Sequence, residues 1–309
     1  MINFRYHVVS LTAVFLALTI GLVVGTAALN GPVADQFESQ VTAFSKQNSQ
    51  LREQVTQAQE ELNQQQRFAT EIAPSVLAGK LAGRRLLLVV LPAAENHVAG
   101  IVTMLNTAGA KITGRIAVQD KFTDPANSVE LLDLSERASQ DSAPIANLPN
   151  NVDGVETSSA LLATALLDRT PAVTPADQQA VLTAYTNAGY LTVEEKVTGP
   201  AEATVVIAGR PPFDRVAAAK NKATVTMLAQ FAGAKPAVVA CGDVGEGNLA
   251  DAVRADPALV KKISTVDNAA SVQGQVSTAL ATAELLTAGR TGQYGLAAGA
   301  TGLVPSPVQ

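Results

Sequence analysis

Few side chains in this sequence could hold a soft metal ion or act as a nucleophile. The chain has one cysteine, Cys241, two histidines, His7 and His97, and three methionines, of which Met104 and Met227 lie in predicted helices. Soft metal ions prefer thiolate, thioether and imidazole ligands, but these residues form no Cys-x-x-Cys, Met-x-x-Met or histidine run. Hydrolase, metalloprotease and phosphate-binding motifs are also absent. The sequence therefore predicts a protein that is not an enzyme and has no cofactor, and its motifs assign no metal ligand.

One glycine-rich turn follows a predicted strand, at the carboxyl edge where α/β sheets bind ligands. It covers residues 242–247 and contains two carboxylates, Asp243 and Glu246. Its glycine spacing differs from that of a dinucleotide-binding fingerprint, and the two carboxylates would repel a phosphate group. We interpret the segment as a tight strand-to-helix turn. The alternative is a weak divalent-cation site formed by Asp243 and Glu246.

Composition limits the kinds of partner that the protein could have. The 309 residues are 47% hydrophobic and 16% charged, with a formal net charge of -5. These proportions fit a globular domain together with an apolar span. Because the chain has no excess of basic residues, we expect no nucleic-acid partner. A single cysteine also excludes an intramolecular disulfide, so cysteine usage does not indicate the compartment.

An uncharged stretch near the N-terminus, residues 8–29, is long enough to cross a membrane. As a helix it would span about 33 Å. The alternative is a cleaved signal peptide, whose apolar core is usually about 7–15 residues long, with residues 26–28 as a cleavage site. Arg5 precedes the stretch and acidic residues follow it. The positive-inside rule then places residues 1–7 in the cytoplasm and the C-terminal domain outside the cell membrane.

Two glycines in this span, Gly21 and Gly25, are four residues apart and therefore share one face of a helix. This GxxxG spacing lets two helix backbones approach closely. We expect either that this face pairs two membrane helices or that the two glycines only reflect the frequency of glycine in membrane helices.

Residues 33–73 form a polar stretch in which apolar residues recur in alternating steps of four and three, as in a coiled coil. No proline or glycine interrupts these five heptads, and we expect Pro74 to end the helix. Such a helix would extend on the order of 60 Å from the membrane. The positions of the seam are Phe37, Val41, Phe44, Asn48, Leu51, Val55, Ala58, Leu62, Gln65, Ala69 and Ile72.

The asparagine of this seam, Asn48, occupies an a position. A buried asparagine pairs well with another asparagine across a parallel dimer and costs stability in other registers. Charged residues are scarce at the flanking e and g positions, so charge does little to select the partner. A homodimer and a heteromer with a partner membrane protein both remain open. We expect the interaction to use Val41, Phe44, Asn48, Leu51, Val55 and Leu62.

The remainder of the chain, residues 80–309, alternates short apolar runs with helical stretches. This order predicts an α/β domain with a mainly parallel sheet flanked by helices. Residues 141–173 have no clear period, and we interpret them as an irregular connection. The glycine-rich tail after Gly289 is either a surface arm or a segment packed against another backbone. Strands are predicted at residues 85–91, 112–118, 204–208, 237–240 and 263–266, and helices at 94–107, 125–139, 175–188, 214–233 and 271–288.

Several short motifs run through the chain around the heptads. They are MINFRYHVVSL at residues 1–11, GLVVG at 21–25, RLLLVVLP at 85–92, VDN at 266–268, GQ at 274–275 and GQYG at 292–295. With these motifs the chain resembles the actinobacterial copper transport protein B (MctB-type) family over essentially its whole length. The resemblance implies copper transport or copper homeostasis in the cell envelope. It implies no known metal ligand among the motif residues.

The same resemblance implies an alternative function, because homologues in this family are linked to cell division. They are membrane-anchored coiled-coil proteins that work with a second membrane protein to control peptidoglycan hydrolases. We therefore expect a non-enzymatic, oligomeric envelope protein of the copper family. The alternative is a coiled-coil scaffold for cell division.

Overall fold

The computed structural model describes residues 4–29, 32–140, 153–242 and 247–306. The chain divides into two compact units, Met1–Gln65 and Gln66–Gln309. The first unit contains helix α1, Phe4–Leu29, and most of helix α2, Pro32–Leu77. Within α1, the segment Phe4–Ala27 is long and apolar enough to cross a membrane, and it is the one helix of that kind among the described residues. The predicted span therefore lies within a single continuous helix.

Helix α2 continues through Pro74 to Leu77, so the prediction that Pro74 ends it is wrong. Proline in a helix interior removes one hydrogen bond and disturbs the preceding turn. Tertiary packing offsets this cost here. Ala73 and Leu77 are 2% and 0% exposed, and both pack into the core of the second unit. Their burial keeps the last turn helical, because tertiary contacts outweigh local helix propensity.

The second unit is built on a seven-stranded sheet with the strand order β3-β2-β1-β4-β5-β6-β7. All neighbouring pairs are parallel except β2 and β3, which are antiparallel. The predicted α/β fold with a mainly parallel sheet is thus confirmed. The strands are β1 Arg85–Val90, β2 Lys111–Val118, β3 Leu191–Glu195, β4 Ala203–Ala208, β5 Ala237–Cys241, β6 Ile263–Val266 and β7 Gln293–Tyr294.

Helices cover both faces of this sheet. Along β1, Leu87 and Val89 join one hydrophobic cluster and Leu86 and Leu88 join the other, as the alternation of a strand buried on both faces requires. Helices α3 and α10 pack on the second of these faces, and α5 to α9 contribute to the first. The helices are α3 Glu95–Thr107, α4 Asp120–Thr123, α5 Ser128–Gln140, α6 Gly154–Leu166, α7 Pro175–Asn187, α8 Ala217–Ala234, α9 Leu249–Ala255 and α10 Val272–Ala288, with a 3-10 turn at Pro125–Asn127.

Helix α6 lies within the stretch that we predicted to be irregular, so that prediction is wrong for residues 154–166. Asp153 begins the helix, since its carboxylate accepts hydrogen bonds from the backbone N–H groups of Val155 and Glu156. Most of the helix is buried, between α5 and α8. A helix that is buried on nearly all sides carries no amphipathic period, which is why its sequence gave no helical signal.

The glycine-rich tail follows the second of its two predicted alternatives. Its strand β7 pairs in parallel with β6, where Thr265 is in register with Gln293 and Val266 with Tyr294. Gln293 and Tyr294 are 5% and 7% exposed. The tail is therefore packed against the backbone of the sheet rather than forming a free arm.

Candidate functional site

The predicted membrane-helix interface lies on α1. An added Cβ atom at Gly21 or Gly25 would meet nothing within 4 Å. Both glycines thus leave the helix backbone open to a neighbouring surface, four residues apart on one face. Such a face can pack closely against another helix, and its pairing remains a prediction.

The predicted coiled-coil residues on α2 form what we call the heptad stripe: Phe37, Val41, Phe44, Asn48, Leu51, Val55 and Leu62. Every apolar member is at least half exposed, from 50% for Leu62 to 71% for Phe44. Asn48 lies among them and is also exposed. A continuous row of large exposed apolar side chains is unusual on a protein surface and is typical of an interaction site. Ala69, a later position of the predicted seam, differs from these residues because it is only 7% exposed on the single chain.

The soft-metal ligand types are divided between the two faces of the sheet. Cys241 and Met227 belong to the cluster beneath α8, whereas Met104 belongs to the cluster beneath α3. His97 lies on the α3 side, since an added Cβ at Gly242 would be 2.0 Å from its Nε2 atom. Side chains of successive strand residues point to opposite faces, so Cys241 points away from the Gly242 side where His97 lies.

Burial also changes the chemistry of the single thiol. Cys241 is 0% exposed, and desolvation raises the pKa of its thiol to about 12. A thiol in this state is a poor nucleophile and a poor metal ligand. Among the described residues no group of three or more His, Cys, Asp or Glu side chains could hold a metal ion. The alternative cation site at Asp243 and Glu246 lies outside the described residues.

A cleft of about 710 Å³ opens at the carboxyl end of the sheet. The segments that follow β1, β2, β4 and β5 all contribute to it. Strand β1 lies between β2 and β4, so the chain changes direction in the sheet at this point. In open α/β sheets, ligands bind in the crevice at such a topological switch point. The glycine-rich turn after β5 lies at this same edge of the sheet, but no sequence motif predicted the cleft.

At the floor of the cleft, the backbone that follows β4 lies close to the backbone that follows β1. An added Cβ at Gly209, just after β4, would be 1.9 Å from the carbonyl oxygen of Ala93, just after β1. Ala93 itself has φ of 62°, in the left-handed region that residues with a side chain rarely adopt. Only glycine at position 209 lets the two turns meet without displacement.

One wall of the cleft is the loop between β4 and α8, where Pro211 and Pro212 precede a fully exposed Phe213. The next residue, Asp214, accepts a hydrogen bond from the Lys220 ammonium at 2.8 Å. This bond lowers the pKa of Asp214 and raises that of Lys220. After Gly209, the run Arg-Pro-Pro-Phe-Asp follows the buried strand β4 and was a sequence signal for a rigid loop at this edge, although not for the cleft as a whole.

Residues of the two C-terminal motifs VDN and GQYG contact each other and connect the tail to the sheet. Asp267 accepts a hydrogen bond from Arg254 at 2.7 Å and others from the backbone N–H groups of Leu296 and Ala297. An added Cβ at Gly295 would lie 2.1 Å from the Asp267 carboxylate. These residues attach the tail to the sheet, so their role is structural.

Comparison with known proteins gives sequence matches over almost the whole chain. A family model described as "Copper transport outer membrane protein, MctB" matches residues 1–305. The chain is 28% identical over 315 residues to the copper transporter MctB of Mycobacterium tuberculosis, with 99% of this chain and 100% of that protein covered. It is 29% identical over 316 residues to the copper transporter MctB of Mycobacterium leprae, with 98% and 99% covered. The chain therefore belongs to the MctB family.

Proposed function

We propose that this protein is a membrane-anchored envelope component of copper transport or copper homeostasis that works as a non-enzymatic oligomer. The observation that carries the copper assignment is the family match over residues 1–305, which includes the anchor, the heptads and the α/β domain. Relatives named as copper transporters match over the same full length. A match of this extent supports a shared role for the whole chain.

The anchor in this proposal is α1, with residues 1–7 in the cytoplasm. The helix segment Phe4–Ala27 is long and apolar enough for one crossing. Arg5 lies at its start, and the first charged residues after it, Asp35 and Glu38, are acidic. The positive-inside rule favours this orientation.

Oligomerisation in this proposal uses the heptad stripe. Its apolar side chains lie exposed on a single chain, and covering them with a second helix would bury side chains such as Val41, Leu51 and Val55. Burying an exposed side chain of this size contributes about 1.5–3 kcal/mol when burial is complete. The Gly21–Gly25 face would bring the membrane helices of the same assembly together.

The distribution of soft ligands supports a role for the assembly rather than for a copper site within one chain. Cys241 and His97 lie on opposite faces of β5, and the thiol is buried. Cu(I) needs such ligands to converge on one point. In this proposal copper passes through contacts that the oligomer or a partner membrane protein completes.

Genetic complementation tests the copper role and the oligomer separately. Deletion in the native host should increase sensitivity to added copper, and the full-length gene should restore growth. A Leu51→Asp, Val55→Asp variant should be expressed and yet fail to restore it, whereas Ser49→Asp, which adds a charge beside the stripe, should succeed. Unchanged copper sensitivity on deletion would contradict the copper role. Rescue by the double variant would contradict oligomerisation through the heptad stripe.

Cross-linking in cells tests the geometry of the stripe. In a Cys241→Ala background, Asn48→Cys should form a disulfide-linked dimer, because a positions face each other across a parallel pair. Glu53→Cys, at the outward f position of the same heptad, should not. Equal cross-linking of both variants would show that the stripe does not form the contact.

The heptad stripe also favours a second candidate function. Its two phenylalanines, Phe37 and Phe44, are 62% and 71% exposed and offer apolar surface that the helix of another membrane protein could cover. In this candidate the protein is a scaffold that works with a second membrane protein in cell division and in the control of peptidoglycan hydrolases. A photo-crosslinking amino acid at position 48 would then capture that membrane protein, and deletion would change septation without changing copper sensitivity.

A further inference from the structure

We propose that the cleft at the switch point binds an organic cation with an apolar or aromatic body. The cleft lies wholly within the unit Gln66–Gln309 and does not depend on the copper assignment or on the heptad stripe. The proposal follows from the charges that line the cleft, from its apolar walls and from its single exposed aromatic ring.

The charged lining has a surplus of carboxylate. Asp120, Asp214 and Asp251 line the cleft, against Arg210 and Lys220. The Lys220 side chain is 12% exposed and bonded to Asp214, and Arg210 also has an interaction partner. The Lys220–Asp214 pair cancels both of its charges, so three carboxylates against two cations leave a surplus of one negative charge toward whatever enters the cleft. An anionic ligand such as a phosphate would meet like charge, which lowers affinity and selects against it.

One further carboxylate, Asp124, extends this field. Both Asp120 and Asp124 act electrostatically on Lys220, in addition to Asp214. Of these three carboxylates, Asp214 makes the hydrogen bond to the ammonium group. A neutral ligand would gain no electrostatic attraction from this field, whereas a cation would be attracted by it.

Bare metal cations fit the cleft less well. None of its lining residues is Cys, His or Met, so it offers no soft donor. Its carboxylates do not gather into a group of three or more in the described part of the chain. A hard cation needs about six oxygen ligands close together. The positive charge of the ligand is therefore spread over an organic group.

The apolar walls of the cleft are the reason for proposing a ligand with an apolar or aromatic body. Leu91, Pro92 and Leu249 contribute apolar surface, and Pro211 and Pro212 restrict the backbone of the loop that presents Phe213. The Phe213 ring is fully exposed. An organic cation over an exposed phenylalanine ring gains about 0.5–1 kcal/mol, and the same ring packs against an aromatic body.

Three small probes that share a phenyl ring and differ in charge test the proposal. They are benzyltrimethylammonium, benzyl alcohol and benzoate, titrated by saturation-transfer NMR against the full-length protein in phosphatidylcholine nanodiscs, with empty nanodiscs as background. We expect benzyltrimethylammonium to bind roughly tenfold more tightly than benzoate, with benzyl alcohol between them. Equal binding of the three, preference for benzoate, or no binding above background would overturn the proposal.

Variants locate the binding within the cleft. Phe213→Ala should weaken benzyltrimethylammonium roughly threefold, and Asp120→Asn should weaken it by a similar factor. Asp133→Asn removes an exposed carboxylate on α5, which does not line the cleft, and should change nothing. Both cleft residues are exposed, so their variants should unfold at the same temperature as the original protein. Identical affinity in all three variants would show that the probe binds elsewhere and would overturn the proposal.

Discussion

Arg254 and Asp267 form an ion pair of 2.7 Å in which the two side chains are 6% and 0% exposed. Arg254 also donates to the carbonyl oxygen of Tyr294 in β7, at 2.8 Å. The pair therefore joins α9, the end of β6 and the C-terminal tail at one point. Its bonds explain why a glycine-rich tail with only two strand residues packs firmly on the sheet.

Removing one member of this pair should be strongly destabilising. Asp267→Asn would leave the Arg254 charge buried without its counter-ion, which typically costs about 3–5 kcal/mol. Urea unfolding in detergent, followed by circular dichroism, measures the loss. The matched control is Glu130→Gln, which breaks an exposed pair with Lys121 at 3.1 Å and should leave the free energy of unfolding almost unchanged. Equal losses in the two variants would contradict the role assigned to the buried pair.

The same substitution at two helix glycines should have opposite effects. Gly274→Ala in α10 would place a Cβ 2.1 Å from the backbone carbonyl oxygen of Asn268, which has no freedom to move aside. We expect it to lower the free energy of unfolding by about 1–3 kcal/mol. Gly233→Ala in α8 meets nothing within 4 Å and should be neutral or stabilising by up to about 1 kcal/mol. Thermal unfolding of both proteins checks the sign, and a stabilised Gly274 variant would contradict the packing described.

Burial of Cys241 predicts a loss of stability at alkaline pH. The thiol pKa is about 12 in the folded protein, against an ordinary value of 9.0. Between these values the unfolded chain releases the thiol proton and the folded chain keeps it, so stability falls as pH rises. The slope is about 1.4 kcal/mol per pH unit. Urea unfolding at pH 8 and pH 10.5 should show a drop about 2 kcal/mol larger for the original protein than for Cys241→Ala. A parallel drop in both proteins would show that this thiol is not protected.

The sequence was most informative where burial is complete. Residues 85–91 and 237–240 are predicted as strands because a parallel strand covered on both faces is a continuous apolar run, and β1 and β5 lie there. The edge strand β3 is largely exposed and has no such run. Strand β7 has two residues, too few to show a period.

The cleft could not be predicted in the same way, because it has no continuous sequence. Its lining comes from segments near residues 91–93, 120–123, 208–214, 220–225 and 247–252, which only the strand order brings together. A single sequence does not predict that β4 lies beside β1 rather than beside β3. The heptad stripe, by contrast, is local, so its residues could be identified from spacing alone.

The asparagine of the heptad stripe gives a sharp test of what that stripe does. At an a position a polar residue specifies register and oligomer state at a cost in stability. Asn48→Val should therefore tighten self-association at least about tenfold, or about 1.4 kcal/mol, while additional oligomeric states appear. Sedimentation equilibrium of the full-length protein in density-matched detergent measures both effects. Asn63→Val, at a b position one residue beyond Leu62, is the matched control and should change neither, because b positions face outward in a coiled coil. If both variants behave like the original protein, Asn48 does not lie in a helix-to-helix contact, and the pairing of α2 through this stripe is wrong.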